Sequence, residues 1–138
     1  MTAKNRILAT LVGFVVLFLL GWLLYGMLLM DFYQSNAGSA TGVMRAEEDM
    51  VWWALIAGNL LQAYFLVYVF GNWANITTFG GGAKAGFILG LIVGFAINLN
   101  MYATSNLMNM TAALVDPFVS AVMMSITGGV IGVMLGRK

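Results

Sequence analysis

Residues 85–107 read AGFILGLIVGFAINLNMYATSNL, a run without one charged side chain. About 20 apolar residues cross the hydrocarbon core of a bilayer, so the run is long enough to span. Through its first half and the residues just before it, Gly82, Gly86, Gly90 and Gly94 recur at every fourth position, which puts them on one helix face. Helices in lipid associate by close backbone approach and by hydrogen bonds, and small residues permit that approach. The stretch therefore reads as a membrane helix with one face kept for a neighbour. A matching face follows in the last apolar run, where Gly128, Gly132 and Gly136 are again four apart and Gly129 sits beside them. Packing is expected through Gly86, Gly90, Gly94, Gly128 and Gly132. The third span is expected against the fourth; a homodimer contact is the alternative.

Working outward, three more uncharged runs appear, giving spans at about 7–30, 51–71, 85–107 and 117–135. The chain is 62% hydrophobic and only 8% charged, against about 25% charged in a soluble domain. The expected fold is all-α: one polytopic bundle of four transmembrane helices filling residues 1–138. The first run resembles a signal peptide, with Lys4 and Arg6 before it and Gly38-Ser39-Ala40 after it. It is far longer than the ~7–15 residues of a signal core, so it reads as the first span. A net charge of +1 argues against a nucleic-acid partner. The chain has no Cys and no His, which removes disulfides, thiol chemistry and the commonest general base and metal ligand.

Charge orients the spans. Lys4, Arg6, Lys84, Arg137 and Lys138 fall on one side, and only Arg45 falls on the other, beside Asp31, Glu47, Glu48, Asp49 and Asp116. The Lys/Arg bias sets topology. Both termini are therefore expected in the cytoplasm, in a bacterial inner membrane.

Between spans, Trp22, Tyr25, Phe32 and Tyr33 read as an interfacial aromatic belt, and Trp52-Trp53 as the anchor of the second span. Residues 34–39 are turn-forming, and helix is favoured again from about Thr41, where Arg45 and Asp49 make an i,i+4 pair. Gly80-Gly81-Gly82 reads as a flexible inner connector; no GxxxxGK[ST] accompanies it, so a phosphate loop is not indicated. Asp116-Pro117 reads as the start of the last helix, with Asp as N-cap and Pro at the first helical position. Asn75-Ile76-Thr77 and Asn109-Met110-Thr111 match the glycosylation pattern by chance.

On these boundaries no ionisable residue lies inside a span, which argues against a proton-coupled transporter. Amides and hydroxyls remain. Asn59 and Gln62 share a face of the second span; Asn98, Tyr102, Ser105 and Asn109 form a stripe on the third, with Asn100 opposite; Ser125 and Thr127 lie on the fourth. Asn59, Gln62, Asn98 and Ser125 come within roughly 5 Å of the midplane at 1.5 Å per residue. Amides cannot bond to lipid, so they are expected to face inward. They serve as interhelical glue or as a small pocket opening outward past Tyr102 and Asn106. Candidate ligand-binding residues are thus Asn59, Gln62, Asn98, Tyr102 and Asn106. Met101, Met108, Met110, Met123 and Met124 could ligate Cu(I), but without His or Cys they read as apolar filler. No metal, cofactor or catalytic residue is expected.

The string Tyr102-Ala103-Thr104-Ser105-Asn106-Leu107-Met108-Asn109 resembles the YATYDLTN motif of an uncharacterised family of bacterial membrane proteins, domain of unknown function 2177. Tyr102, Ala103, Thr104, Leu107 and Asn109 match, and Pro117 and Gly128 fall where that family has Pro and Gly. The order of an aromatic-ended first helix, a Trp-led second and a Gly-rich third is similar. Domain of unknown function 1761 is a looser likeness. The motif's Asp is Asn106 here, and acidic positions of the family's first and last helices correspond to Gly21 and Met124. The resemblance implies a four-helix fold and no activity.

The expected function is that of a non-enzymatic accessory or scaffold subunit, or a homo-oligomer, with lipid and other membrane proteins as partners. The alternative is binding or transport of a small neutral or lipid-like ligand.

Overall fold

A computed structural model describes residues 2–137; Met1 and Lys138, the last of the basic residues in the chain, lie outside the described residues. Helix α1 (Ala3–Leu23) starts at Thr2, whose Oγ1 accepts a hydrogen bond from Asn5 N at 3.0 Å. It runs on through a π-helical turn, Leu24–Leu28, and a short helix α2 (Met30–Ser35) comes next. Helix α3 (Trp52–Val69) also ends in a π-helical turn, Phe70–Ala74. Helix α4 spans Phe79–Thr104 and α5 spans Met110–Leu135. Four helices, Ala3–Leu28, Trp52–Ala74, Phe79–Thr104 and Met110–Leu135, are long and apolar enough to cross a membrane.

The long helices alternate in direction and pack in the order α3, α1, α5, α4. The α4–α5 contact is the most extensive, and the Gly stripe explains it. Gly82, Gly86, Gly90 and Gly94 are all buried. A Cβ on Gly82 would collide with the carbonyl of Gly128, and one on Gly86 with the carbonyl of Met124. At Gly90 it would stand 2.9 Å from Ala121 Cα, and at Gly94 2.9 Å from Pro117 Cα. The two backbones therefore touch along four turns, which brings many atom pairs into dispersion contact. Ser125 Oγ adds a hydrogen bond to the carbonyl of Ala83 at 3.0 Å. Elsewhere the core is built from Leu17, Leu66, Val67, Phe70, Ile131 and Leu135, near the end that carries Lys4, Arg6 and Arg137.

Three boundaries differ from those read off the sequence. Helix α4 begins at Phe79, so Gly80-Gly81-Gly82 is its first turn and not a connector; Thr78 Oγ1 caps it by accepting from Gly81 N at 3.1 Å. Residues 41–46 are not helical, and a single 3-10 turn, Glu47–Asp49, precedes α3. Arg45 bonds the carbonyl of Asp49, not its carboxylate. Most consequentially, α5 begins at Met110, capped by Asn109, whose Oδ1 accepts from Ala112 N at 2.9 Å. Asp116 and Pro117 lie inside that helix. Gly94 lies directly against Pro117, where a Cβ would stand 2.9 Å from Pro117 Cα.

At the acidic end, the loop after α2 is stitched to the α4–α5 connection. Gly38 N bonds Leu107 O at 3.2 Å, Ala40 N bonds Asn106 O at 3.0 Å, and Asn109 N bonds Asn36 O at 3.0 Å. Asn109 Nδ2 also donates to Asn36 Oδ1 at 3.0 Å. This clamp holds α2 over the ends of α4 and α5.

Candidate functional site

Asp116 is the sixth residue after the start of α5, about 9 Å along the helix axis at 1.5 Å per residue. The helix has 26 residues. Were α5 centred in a hydrocarbon core of about 30 Å, its length of about 39 Å would put Asp116 roughly 4–5 Å below the edge. An ionisable side chain at that depth needs partners supplied by protein. Three elements supply them. Tyr25, in the π-helical turn of α1, donates its hydroxyl to Asp116 Oδ1 at 2.8 Å. Tyr33, on α2, donates to the same oxygen. Asn98, on α4, donates from Nδ2 to Asp116 Oδ2 at 2.8 Å. Asn98 is buried, and the same Nδ2 reaches the carbonyl of Gly94 at 2.8 Å.

The irregular backbone around Asp116 serves this arrangement. The extra residue per turn in a π-helix rotates the side chains beyond it about the helix axis, and such turns recur at functional sites; here one carries Tyr25. The rings of Tyr25 and Tyr33 lie 5.1 Å apart, tilted against each other, which sets both hydroxyls over one oxygen. Tyr33 lies beyond the span. Burial and its hydrogen bond to Asp116 push its pKa well above the usual tyrosine value, so it remains a neutral donor. All of Asp116's hydrogen-bond partners among the described residues are neutral.

Asp116 and Asn98 line a cleft of about 270 Å³ between α3 and α4, two helices that hardly touch. Gln62 faces it from α3, Ser120 lies one turn after Asp116, and Tyr25 closes the acidic end. Phe65, Leu89, Val93, Ile97 and Met124 make the rest of the wall apolar. The acidic-end half of α3 stands away from the bundle: residues 51–62 include none that is buried, and a Cβ on Gly58 would meet nothing within 4 Å.

No family model, curated protein or solved structure matches the chain.

Of the residues singled out in the sequence, the structure brings Asn98 and Gln62 to one cleft, without a hydrogen bond between them. Asn59 is elsewhere: its Nδ2 bonds the carbonyl of Leu55 at 2.9 Å on its own helix. Asn100 does the same with Ala96 O at 2.7 Å. An amide that back-bonds its own helix needs no second helix, so shared burial of these amides does not result from their polarity alone. Tyr102 is 39% exposed and off the cleft. Asn106 offers its backbone carbonyl to the clamp and does not line the cleft. The stripe from Asn98 to Asn109 is broken because α4 ends at Thr104 and Asn109 caps the next helix. Asn98 is about 10 Å from the middle of α4 at 1.5 Å per residue, so the site sits towards the acidic end and not at the midplane.

Asp116 is the residue that sequence reasoning misplaced. The signal for its true position was Asn109, a good N-cap followed directly by an apolar run.

Proposed function

We propose that this is a multi-pass membrane protein with both termini on the cytoplasmic side, and that it binds a small or lipid-like ligand in the cleft between α3 and α4. The orientation rests on the Lys/Arg bias, five against one, now carried by helices of spanning length. The ligand reading rests on one observation: a carboxylate within a helix of spanning length, held by three neutral donors, faces an open cleft that Gln62 and Ser120 also line and whose remaining wall is mostly apolar. A few placed polar groups in an apolar concavity are what small-molecule sites use. A carboxylate serving only to glue helices would be closed off from the cleft by its partners. No nucleophile–base pair or metal set accompanies Asp116 among the described residues, so we read the site as one for binding or transport and not for catalysis.

A second reading has support in the exposed half of α3. A helix from another copy, or from a larger complex, packing on residues 51–62 would make this chain an accessory subunit or homo-oligomer. The two readings separate in native mass spectrometry of detergent-extracted protein. The cleft reading expects one species retained per chain, and its loss in Val93→Trp, whose indole fills the cleft. Retention of nothing but a second protein chain, unchanged in Val93→Trp, would reject it.

A further inference from the structure

Resting on the cleft-binding reading above, we infer that the ligand carries a primary ammonium group on an alkyl segment, seated with its nitrogen at Asp116 and its chain running between α3 and α4 into the bilayer. A carboxylate offers about four lone-pair positions. Tyr25 and Tyr33 fill two on Oδ1, and Asn98 fills one on Oδ2, leaving a position on Oδ2. Gln62 and Ser120 line the same cleft, and neither side chain has a hydrogen-bond partner there from the described residues. Ser120 is one helical turn from Asp116, so both project to one face. The lining therefore offers three oxygens: a carboxylate, an amide carbonyl and a hydroxyl. A primary ammonium has three N–H donors and no acceptor. A second anion would repel Asp116, and a neutral alcohol would leave the carboxylate's charge unpaired at low dielectric. A quaternary ammonium has no N–H to give these oxygens, and it favours aromatic cages, of which only Tyr25 and Phe65 are present.

Size and opening set the remainder. At about 270 Å³ the cleft is just below the ~300–1,000 Å³ of ordinary ligand sites. It holds a head group and a few methylenes. The wall beyond Asp116 is apolar, and the gap between α3 and α4 leads to the surface that lipid covers. A longer chain would continue into the bilayer at little cost.

The test uses the intact protein in phosphatidylcholine nanodiscs, titrated by calorimetry with hexylammonium and with 1-hexanol, empty nanodiscs subtracted. A charge-assisted hydrogen bond should favour hexylammonium by at least about tenfold. Asp116→Asn should erase the preference, and Gln62→Leu and Ser120→Ala should each reduce it. The wild-type comparison alone decides the matter if Asp116→Asn fails to fold. Equal affinity for amine and alcohol would overturn the ammonium assignment and leave the cleft-binding reading intact. If neither probe binds while native mass spectrometry still shows a retained species lost in Val93→Trp, the assignment falls and the cleft stands. If neither probe binds and nothing is retained, both fall. Replacing phosphatidylcholine by phosphatidylethanolamine separates two sources of the same chemistry. Weaker hexylammonium binding there marks a lipid head-group amine as the occupant; unchanged binding marks a free amine.

Discussion

Asn98 on α4 donates its amide to Asp116 on α5 at 2.8 Å, beside the cleft between α3 and α4. The pair ties the two most closely packed helices of the molecule at their acidic end, as the Gly stripe ties them along the rest of their length. It also fixes the carboxylate that two tyrosines reach from the other side. Asp116→Leu should therefore strand a buried N–H of Asn98, since Asn98 is only 5% exposed. The cost expected from that group alone is about 1–3 kcal/mol. Tyr25 and Tyr33 are less buried and can turn to interfacial water. Asp116→Asn should cost less, because the new amide can keep its oxygen towards Asn98 Nδ2 and turn its nitrogen to the tyrosine hydroxyls, which accept as well as donate. Thermal unfolding in detergent that ranks Asn below Leu in stability would contradict this geometry.

The glycines divide by what surrounds them. A Cβ at Gly86 would collide with the carbonyl of Met124, whereas at Gly58 it would meet nothing within 4 Å. Gly86→Ala should force α4 from α5 and lower the melting temperature sharply. Gly58→Ala, in the exposed part of α3, should raise stability by about 0.4–1 kcal/mol by restricting the unfolded chain. Circular dichroism melts of the two variants should move in opposite directions.

Thr127 is fully buried on α5, and its hydroxyl has no hydrogen-bond partner among the described residues. A hydroxyl buried without a partner costs roughly 1–3 kcal/mol by protein mutational data. Thr127→Val keeps the shape and removes the polar atom, so the variant should melt higher than the parent. A lower melting temperature would mean that the hydroxyl is bonded after all.

The sequence carried the α4–α5 contact openly, because a four-residue glycine repeat has one geometric meaning on a helix and one energetic meaning in lipid. It carried Asn98 for a related reason: an amide in a long apolar run needs a protein partner. The partner was hidden. Asp-Pro is a strong helix-start signal, since Asp caps free N–H groups and Pro lacks one. Here Asn109 caps α5 two turns earlier, and Pro117 packs directly on Gly94, so the local preference of Asp116-Pro117 is overridden by a contact made across the bundle. Tyr25 was equally opaque. Its place near the helix end suggested an interfacial anchor, and only the π-helical turn aims it at Asp116. The stitched loop between residues 36–40 and 106–109 depends on backbone groups, which leave no mark on residue type.

The proposed orientation makes Ser39 and Lys84 accessible from opposite sides. Ser39 lies in the loop after α2, and Lys84 in the second turn of α4. Cysteines introduced singly at these positions, in a chain that has none of its own, should react with a membrane-impermeant maleimide from the non-cytoplasmic side at position 39 and only after permeabilisation at position 84. The reverse pattern would invert the protein, and labelling of both from outside would remove the four-span topology.

Tyr33 supplies a prediction in pH. Burial and the hydrogen bond it gives Asp116 raise its pKa in the folded protein. A group whose folded pKa is raised contributes stability that is fully present below its unfolded value, about 10 for tyrosine, and lost as pH rises beyond it. The unfolded chain then releases a proton that the folded chain keeps. Melting temperature should hold through neutral pH and fall above about pH 10. In Tyr33→Phe the neutral-pH stability should drop, because Asp116 Oδ1 loses a donor, and the alkaline fall should become shallower, because one proton-linked difference is gone. An alkaline fall of the same steepness in parent and Tyr33→Phe would show that the Tyr33 hydroxyl is not held by Asp116.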